Sequence, residues 1–400
     1  MGEPKIKFKV LTLNSIAKEG LNRFSKTRYN YGNDLSDPSA ILLRSQNIHD
    51  FEFPSSLLAV ARAGAGINNI PIEKLSELGV PVFNAPGANA NAVKELVIGA
   101  ILMGLRNLPD AWEYVSKLKG SDELISSKVE AGKKKYVGCE LPSRTLGVIG
   151  LGAIGVEVAN ACLSLGMRVI GYDPKVTVKR AWQLSSGVQQ AANLEELFKN
   201  CDIITAHIPL NGNTKFLINY TLMRLLPSNS IILNFARNGV VDNSAVIELI
   251  NEGCISTYIC DFPTPEIKDH QKVICLPHLG ASTVEAEKNC AVMVADNLID
   301  FLENGNVGHS VNMPEAKLSR TRPHRLSIAN ANVPSMVGQI STALAEQNIN
   351  IADMLNVSRG DLAYTLMDID DPVDDETFER ISSIDGILRV RILPQLDEGL

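Results

Sequence analysis

The chain has no long apolar run, no excess of positive charge and no cysteine framework. Its most apolar stretch, Leu96 to Leu105, spans ten residues between Lys94, Glu95 and Arg106. A membrane-spanning helix needs about 20 apolar residues, so this stretch predicts a buried helix. Seven cysteines in 400 residues are odd in number and show no C-x-x-C spacing. That pattern predicts reduced thiols in a reducing compartment. Acidic residues outnumber basic ones by 45 to 38, for a net charge of -7. A nucleic-acid binder carries the opposite balance or a dense basic stripe. Charges are scattered through Met1 to Leu11, where a secretory signal needs an apolar run. Ile6 stands where a myristoylation signal starting at Gly2 wants Ser or Thr. The expectation is a soluble, cytoplasmic protein with no nucleic-acid, membrane or metal partner.

What is present is globular: 45% apolar and 21% charged residues. The length predicts two to three domains. Strand-like runs at 7–13, 40–45, 57–63 and 80–85 are separated by Pro, Gly and Asn. A helical stretch follows from Val93 to about Leu118, then a charged loop over 119–143. A second series has strands at 144–150, 168–173, 202–209, 230–236, 255–262 and 273–278, with helical patterns between them. Start-to-start spacings of about 24 to 34 residues, shortening to about 18 before the last strand, suit βαβ units and a parallel sheet buried on both faces. A helix over 283–304 shows one apolar face at 291, 294, 298, 301 and 302. After a polar linker, 305–322, the tail reads βαββαβ, the ferredoxin-like order.

Gly150, Gly152 and Gly155 follow an apolar strand and open a helix. In a dinucleotide fingerprint the first glycine makes the turn, the second admits the pyrophosphate and the third lets helix and strand pack closely. The helix N-terminus then offers free N–H groups to the phosphates. Asp173, 18 residues beyond Gly155, ends the next strand, where a carboxylate accepts from a ribose hydroxyl and favours NAD over NADP. Lys175 leaves NADP tolerance open.

Three later strands end in polar residues: Arg237, Asp261 to Glu266, and His278. Each has an ordinary reading, as a solvated loop charge, a loop acid or a capping histidine. Together, after a nucleotide fingerprint, they form a chemical set. Arg grips a carboxylate in a bidentate fork. His moves the proton when a carbonyl and a hydroxyl interconvert. A nearby Glu stabilises the imidazolium.

On these residues, and on ARAGAGINNI (61–70), VPVFNAPGANANAVKELV (80–97), NFARNGVVD (234–242), DFPTPE (261–266) and PHLGASTVEAE (277–287), the chain resembles the D-isomer-specific 2-hydroxyacid dehydrogenases, in the branch with a C-terminal ACT domain. The resemblance implies two doubly wound parallel-sheet domains. A Rossmann domain, 93–282, is inserted in a flavodoxin-like substrate domain, 1–92 plus 283–315, with a cleft between them and an ACT domain over 323–400. It implies NAD-linked oxidation of 3-phospho-D-glycerate to 3-phosphohydroxypyruvate in serine synthesis, with Arg237, Glu266 and His278 catalytic. Cofactor contacts implied are Gly150, Gly152, Ala153, Ile154, Gly155, Asp173, Ile208, Phe235, Ala236, Arg237, Asp261, His278, Leu279, Gly280 and Ala281. The substrate loops are Arg62, Ala63, Gly64, Ala65 and Gly66, with Asn84. Lys133, Lys134 and Lys135 read either as a solvated charge run or as holders of the substrate phosphate.

In the tail, the family's effector positions fall on Asn330, Asn332 and Asn350, with serine as the implied ligand; a purely oligomerising tail is the alternative. Pro334-Ser335 stands in place of the family's Pro-Gly. A homodimer or homotetramer is implied. The rival activities are a glyoxylate or hydroxypyruvate reductase and a non-catalytic NAD-sensing scaffold or corepressor.

Overall fold

Three sheets organise residues 8–395, the part of the chain that the computed structural model describes; Gly2 and Ile6 lie outside it. Contacts divide the chain into two units, one running to Asn89 and resuming at Glu287, the other Ala90–Ala286.

In the first unit, β1 (Phe8–Leu13), β2 (Tyr29–Gly32), β3 (Ala40–Leu43), β4 (Ala59–Arg62) and β5 (Val82–Phe83) form a parallel sheet of order β2-β1-β3-β4-β5. This is the flavodoxin-like order. The strand residues of β3 are all buried, as expected of a sheet covered on both faces. On one face lies the helix Val284–Asn304 through Cys290, Ala291, Val294, Leu298, Phe301 and Leu302. The other is covered by Ile70, Leu75 and their neighbours.

In the second unit, β6 (Thr145–Ile149), β7 (Arg168–Tyr172), β8 (Gln189–Gln190), β9 (Ile203–Ala206), β10 (Ser230–Asn234), β11 (Ile255–Cys260) and β12 (Val273–Cys275) take the order β12-β11-β10-β9-β6-β7-β8, all parallel. This is the Rossmann order with one more strand at an edge. Helices Ala90–Leu105 and Ala153–Ser164 pack on one face. Leu194–Asn200 and Asn243–Asn251 pack on the other. Local chemistry starts these helices. Asn193 accepts from Glu196 N while the Glu196 carboxylate accepts from Ala192 N, a reciprocal cap, and Asp242 accepts from Ala245 N.

β13 (His324–Ala331), β14 (Ile351–Arg359), β15 (Leu362–Ile369) and β16 (Ile387–Ile392) form the third sheet, antiparallel, of order β14-β15-β13-β16. With helices Met336–Ala345 and Asp375–Ser382 this is the βαββαβ arrangement. One face packs on those helices. The other, through Ala329, Tyr364 and Leu366, joins the core around Val284–Asn304, so this sheet is packed into the first unit. Arg391 donates to the carbonyls of Phe301 and Leu302, in the last turn of that helix, and lies 4.5 Å over the Phe301 ring. A guanidinium there meets the negative end of the helix dipole. Arg389 donates to Leu57 O at 2.6 Å, and Tyr364 to Gly305 O at 2.7 Å. Within the module, Arg325 and Asp368 form an ion pair with both side chains 0% exposed.

Two readings are corrected. The helical stretch from Val93 is two helices, Ala90–Leu105 and Leu108–Ser116. Asn107 takes a left-handed φ of 51°, and Pro109 has no N–H to continue the ladder to Leu105 O, which accepts from Cys139 N instead. The stretch 119–143, read as a loop, contains the helix Asp122–Gly132 and a 3₁₀ turn, Lys133–Tyr136. Asp122 and Glu123 suit its N-terminal dipole, and no Pro or Gly interrupts it before Gly132. Strands β2 and β8, four and two residues long, left no apolar run to read.

Candidate active site

The three fingerprint glycines do three different things. Gly150 follows β6 with φ +88°, and a Cβ there would lie 2.6 Å from Ile208 Cγ2 and 2.7 Å from His207 O. It therefore lets the turn press against the end of β9. At Gly155 a Cβ would fall 1.9 Å from Gly150 O, so only glycine allows helix and turn to pack this closely. Around Gly152 no heavy atom lies within 4 Å of a Cβ. That open space, at the uncapped start of the helix Ala153–Ser164, is a cradle that any other side chain would fill, and it fits a dinucleotide pyrophosphate. Ala153 and Ile154 form the first turn. Asp173, just past β7, accepts from Leu151 N at 2.8 Å and from Lys175 N at 2.8 Å, so its carboxylate stands beside the glycine turn.

All seven strands run the same way, so β6, β9, β10 and β11 end side by side at one edge of the sheet. At β9, His207 N donates to Ile149 O, its Nε2 lies 3.1 Å from Thr205 Oγ1, and its Nδ1 is buried without a partner. Burial pushes its pKa down to about 3. Sequence reasoning missed this residue; its neighbour Ile208 was expected at the site and touches the Gly150 turn.

At β10, Asn234 is buried and shapes the turn that follows. Its Oδ1 accepts from Ala236 N, and its Nδ2 donates to Arg237 O. Phe235 and Ala236 are buried, and Arg237 emerges exposed, donating to Ala236 O at 2.7 Å. Partial burial lowers its pKa.

Asp261 follows β11 and is 1% exposed. Its two oxygens accept from Leu279 N and Gly280 N, each at 2.7 Å. The carboxylate thus holds the segment His278–Ala281 from below. His278 itself is exposed, with φ +56°, and its ring lies 5.1 Å from that of Phe262. Glu266 differs from expectation. It is exposed and accepts from Ser244 Oγ at 2.7 Å, and among the described residues no hydrogen bond joins it to His278. It sits in the turn after Thr264, on the side of the helix Asn243–Asn251, and Ser244 is the donor within reach.

In the first unit, Arg62 ends β4, and its Nε donates to Arg44 O at 2.8 Å. Asn84 Nδ2 donates to Ala65 O and Ala85 N to Gly64 O, tying the loop Arg62–Gly66 to the segment after β5. Ala63 N donates to Leu43 O. Arg44, just past β3, pairs with Glu287 at 2.8 Å. Sequence reasoning missed Arg44, although the rule that singled out Arg62, a cation at a strand's carboxyl end, applies to it equally. Lys133, Lys134 and Lys135 are exposed on the 3₁₀ turn of the second unit, and Lys133 pairs with Glu130.

The three effector candidates do not converge within one chain. Asn330 is 1% exposed; its Nδ2 donates to Ala331 O while Oδ1 is buried without a partner. Asn332 Nδ2 donates to Gly360 O. Asn350 Nδ2 donates to Asp370, at the other end of β15, roughly 24 Å away at strand rise. Ser335 holds φ +69°, a left-handed backbone that costs a non-glycine residue about 1–2 kcal/mol.

Among the described residues no helix is long and apolar enough to cross a membrane. A model of the D-isomer specific 2-hydroxyacid dehydrogenase NAD binding domain matches residues 98–280. The chain is 35% identical over 327 residues to D-3-phosphoglycerate dehydrogenase of Methanocaldococcus jannaschii, covering 80% of this chain but only 58% of that one. It is 30% identical over 354 residues to D-3-phosphoglycerate dehydrogenase of Haemophilus influenzae, covering 86% and 82%. Among solved structures it is similar to NAD+-bound 3-phosphoglycerate dehydrogenase of Entamoeba histolytica, at TM-score 0.61 and 27% identity over 76% of this chain and 99% of that one. It shares its fold with D-mandelate dehydrogenase of Rhodotorula graminis, at TM-score 0.65 and 22% identity over 78% of this chain and 100% of that one.

Proposed function

The chain belongs to the D-isomer specific 2-hydroxyacid dehydrogenase family, and on that premise we propose that it oxidises 3-phospho-D-glycerate to 3-phosphohydroxypyruvate with NAD, the first step of serine synthesis. The observation that carries this reading is the shared sheet edge. The open cradle at Gly152 after β6, the Arg237 turn after β10 and the Asp261 carboxylate after β11, which holds the His278 segment, follow strands of one parallel sheet, with β9 between β6 and β10. The names of the relatives supply the substrate class.

Bound at the cradle, NAD supplies the two-electron acceptor. Arg237 grips the substrate carboxylate through its planar fork. His278 takes the C2 hydroxyl proton as the carbonyl forms, held in place by Asp261 through the backbone of Leu279 and Gly280. Glu266 serves as the imidazolium's partner once its carboxylate leaves Ser244. Asp173 accepts from the adenosine ribose and disfavours a 2′-phosphate. Phosphate recognition falls to Arg62 with its neighbour Arg44, and to Lys133, Lys134 and Lys135.

The C-terminal sheet is read as a regulatory module that takes serine. The unpartnered Oδ1 of Asn330 supports this, and so does the separation of Asn330 from Asn350. A site using both draws them from two copies, in a homodimer or homotetramer.

Steady-state NADH formation with 3-phosphoglycerate against unphosphorylated glycerate tests the reading. The phosphorylated substrate is expected to be preferred, and His278→Asn to lower kcat by about 10²-fold with NADH binding retained. Equal use of glycerate, or faster turnover of glyoxylate, points to the reductase instead. Changing the three lysines to Ser locates the phosphate: a raised KM assigns it to them, and an unchanged KM leaves it with Arg62 and Arg44.

A further inference from the structure

Two thiols meet directly behind the segments that carry Asp261 and His278. Cys260 ends β11 and Cys275 ends β12; they are register partners, with Sγ atoms 3.7 Å apart. Among the described residues this is the one thiol–thiol contact. Cys260 is 0% exposed, whereas Cys275 is partly exposed. We propose that this pair is an oxidation site: a small two-electron oxidant of the peroxide class converts it to an intramolecular disulfide that disables the His278 segment, and thiol reductants reverse the change.

The backbone already stands at the right separation. Neighbouring strands lie about 4.7–4.9 Å apart, inside the roughly 4.4–6.8 Å between Cα atoms that a disulfide spans. The sulfurs must close from 3.7 Å to about 2.05 Å, roughly 0.8 Å each, a distance within reach of side-chain rotation. The chemistry balances in two steps. The Cys275 thiolate attacks one peroxide oxygen, the O–O bond breaks, and a sulfenic acid and water are formed. Cys260 then attacks the Cys275 sulfur, the S–O bond breaks, and the second water leaves with the Cys260 proton. The two electrons lost by the sulfurs reduce the peroxide. Exposure sets the order, since an oxidant reaches Cys275 first and the buried Cys260 resolves the intermediate.

The consequence follows from position. Cys260 precedes Asp261, and Cys275 lies three residues before His278. β12 is an edge strand of three residues, continued by Leu276 N, which donates to Cys260 O at 2.8 Å. Drawing the strands together at this point displaces His278–Gly280 against Asp261, whose two 2.7 Å hydrogen bonds hold that segment. Burial pushes both thiols up, Cys275 to about 12, so attack by the thiolate is slow at neutral pH and accelerates about tenfold per pH unit.

The activity arm of the test rests on the dehydrogenase reading; the chemical arm does not. The full chain is treated with hydrogen peroxide at pH 7.5 and pH 9.0, alkylated and digested. The expected result is a Cys260–Cys275 cross-linked peptide about 2 Da lighter than the two thiol peptides, formed faster at the higher pH. NADH formation should fall fivefold or more and recover with dithiothreitol. Cys275→Ser, and separately Cys260→Ala, should abolish the cross-link and keep their own activity through the treatment. Absence of the cross-link overturns the proposal, and so does a cross-link that leaves kcat unchanged. If the chain forms no NADH from any 2-hydroxy acid, the cross-link and its effect on NADH binding are read instead.

Discussion

One added methyl group, placed at Gly155 or at Gly152, separates the two tasks of the fingerprint. At Gly155 the new Cβ lands 1.9 Å from the carbonyl oxygen of Gly150. Carbon and oxygen in contact settle at about 3.3–3.6 Å, so the helix Ala153–Ser164 must retreat by roughly 1.4 Å. The oxygen cannot step aside, because it belongs to a turn whose own backbone holds φ +88° against the end of β9. Overpacking a close-packed interior costs about 1–3 kcal/mol. In a unit of this size each kcal/mol lowers Tm by about 2–4 °C, so G155A is expected to melt about 2–12 °C below the parent. At Gly152 the same methyl meets nothing within 4 Å. G152A is therefore expected to keep the parental Tm and to lose NADH affinity by about tenfold or more, because the methyl fills the pyrophosphate's approach. Thermal melting without ligand and NADH fluorescence titration read the two effects separately. A parental Tm for G155A, or parental NADH affinity for G152A, would refute this division of labour.

Two further outcomes follow from buried charge. Asp368→Asn strands the fully buried Arg325 guanidinium, and breaking such a pair costs about 3–5 kcal/mol; urea unfolding followed from the C-terminal module should show it, while Arg325→Met with Asp368→Leu should recover most of the loss. His207 supplies the pH dependence. Its folded pKa, depressed by burial to about 3, lies below the unfolded value of about 6.5, so the unfolded chain takes up the proton first. The contribution to stability is complete above pH 6.5 or so, and it declines as pH falls from there toward 3. By pH 5 the loss is about 2 kcal/mol at 1.36 kcal/mol per unit. Urea midpoints at pH 7 and pH 5 should converge for His207→Gln, and an unaltered pH slope in that variant would show that this histidine is not the group responsible.

Local chemistry made much of this protein legible before any coordinates. The period of the apolar runs, the Gly150–Gly155 turn and the polar strand ends at Arg237, Asp261 and His278 are properties of short segments, and short segments carry both the hydrophobic period and the turn residues. The strands other than β2 and β8, and the βαββαβ tail, could therefore be read off. Boundaries could not be read wherever the deciding partner was distant. The helix Asp122–Gly132 has a sparse apolar face, and Tyr114, from the preceding helix, stacks over its end, with its hydroxyl bonded to Lys128 O at 2.7 Å.

The site divides along the same line. Residue type and spacing named the glycines, Asp173, Arg237, Glu266 and His278, and the family resemblance gave Asp261 its role. Their partners came only from folding: Asp261 bound to the amides of Leu279 and Gly280, Glu266 turned toward Ser244, Arg44 beside Arg62, and Cys260 against Cys275. These residues lie between 15 and 22 positions apart in the chain. A hydrogen bond or thiol contact between strand ends depends on which strands the sheet sets side by side, and that order is a property of the whole unit's packing, which no segment contains.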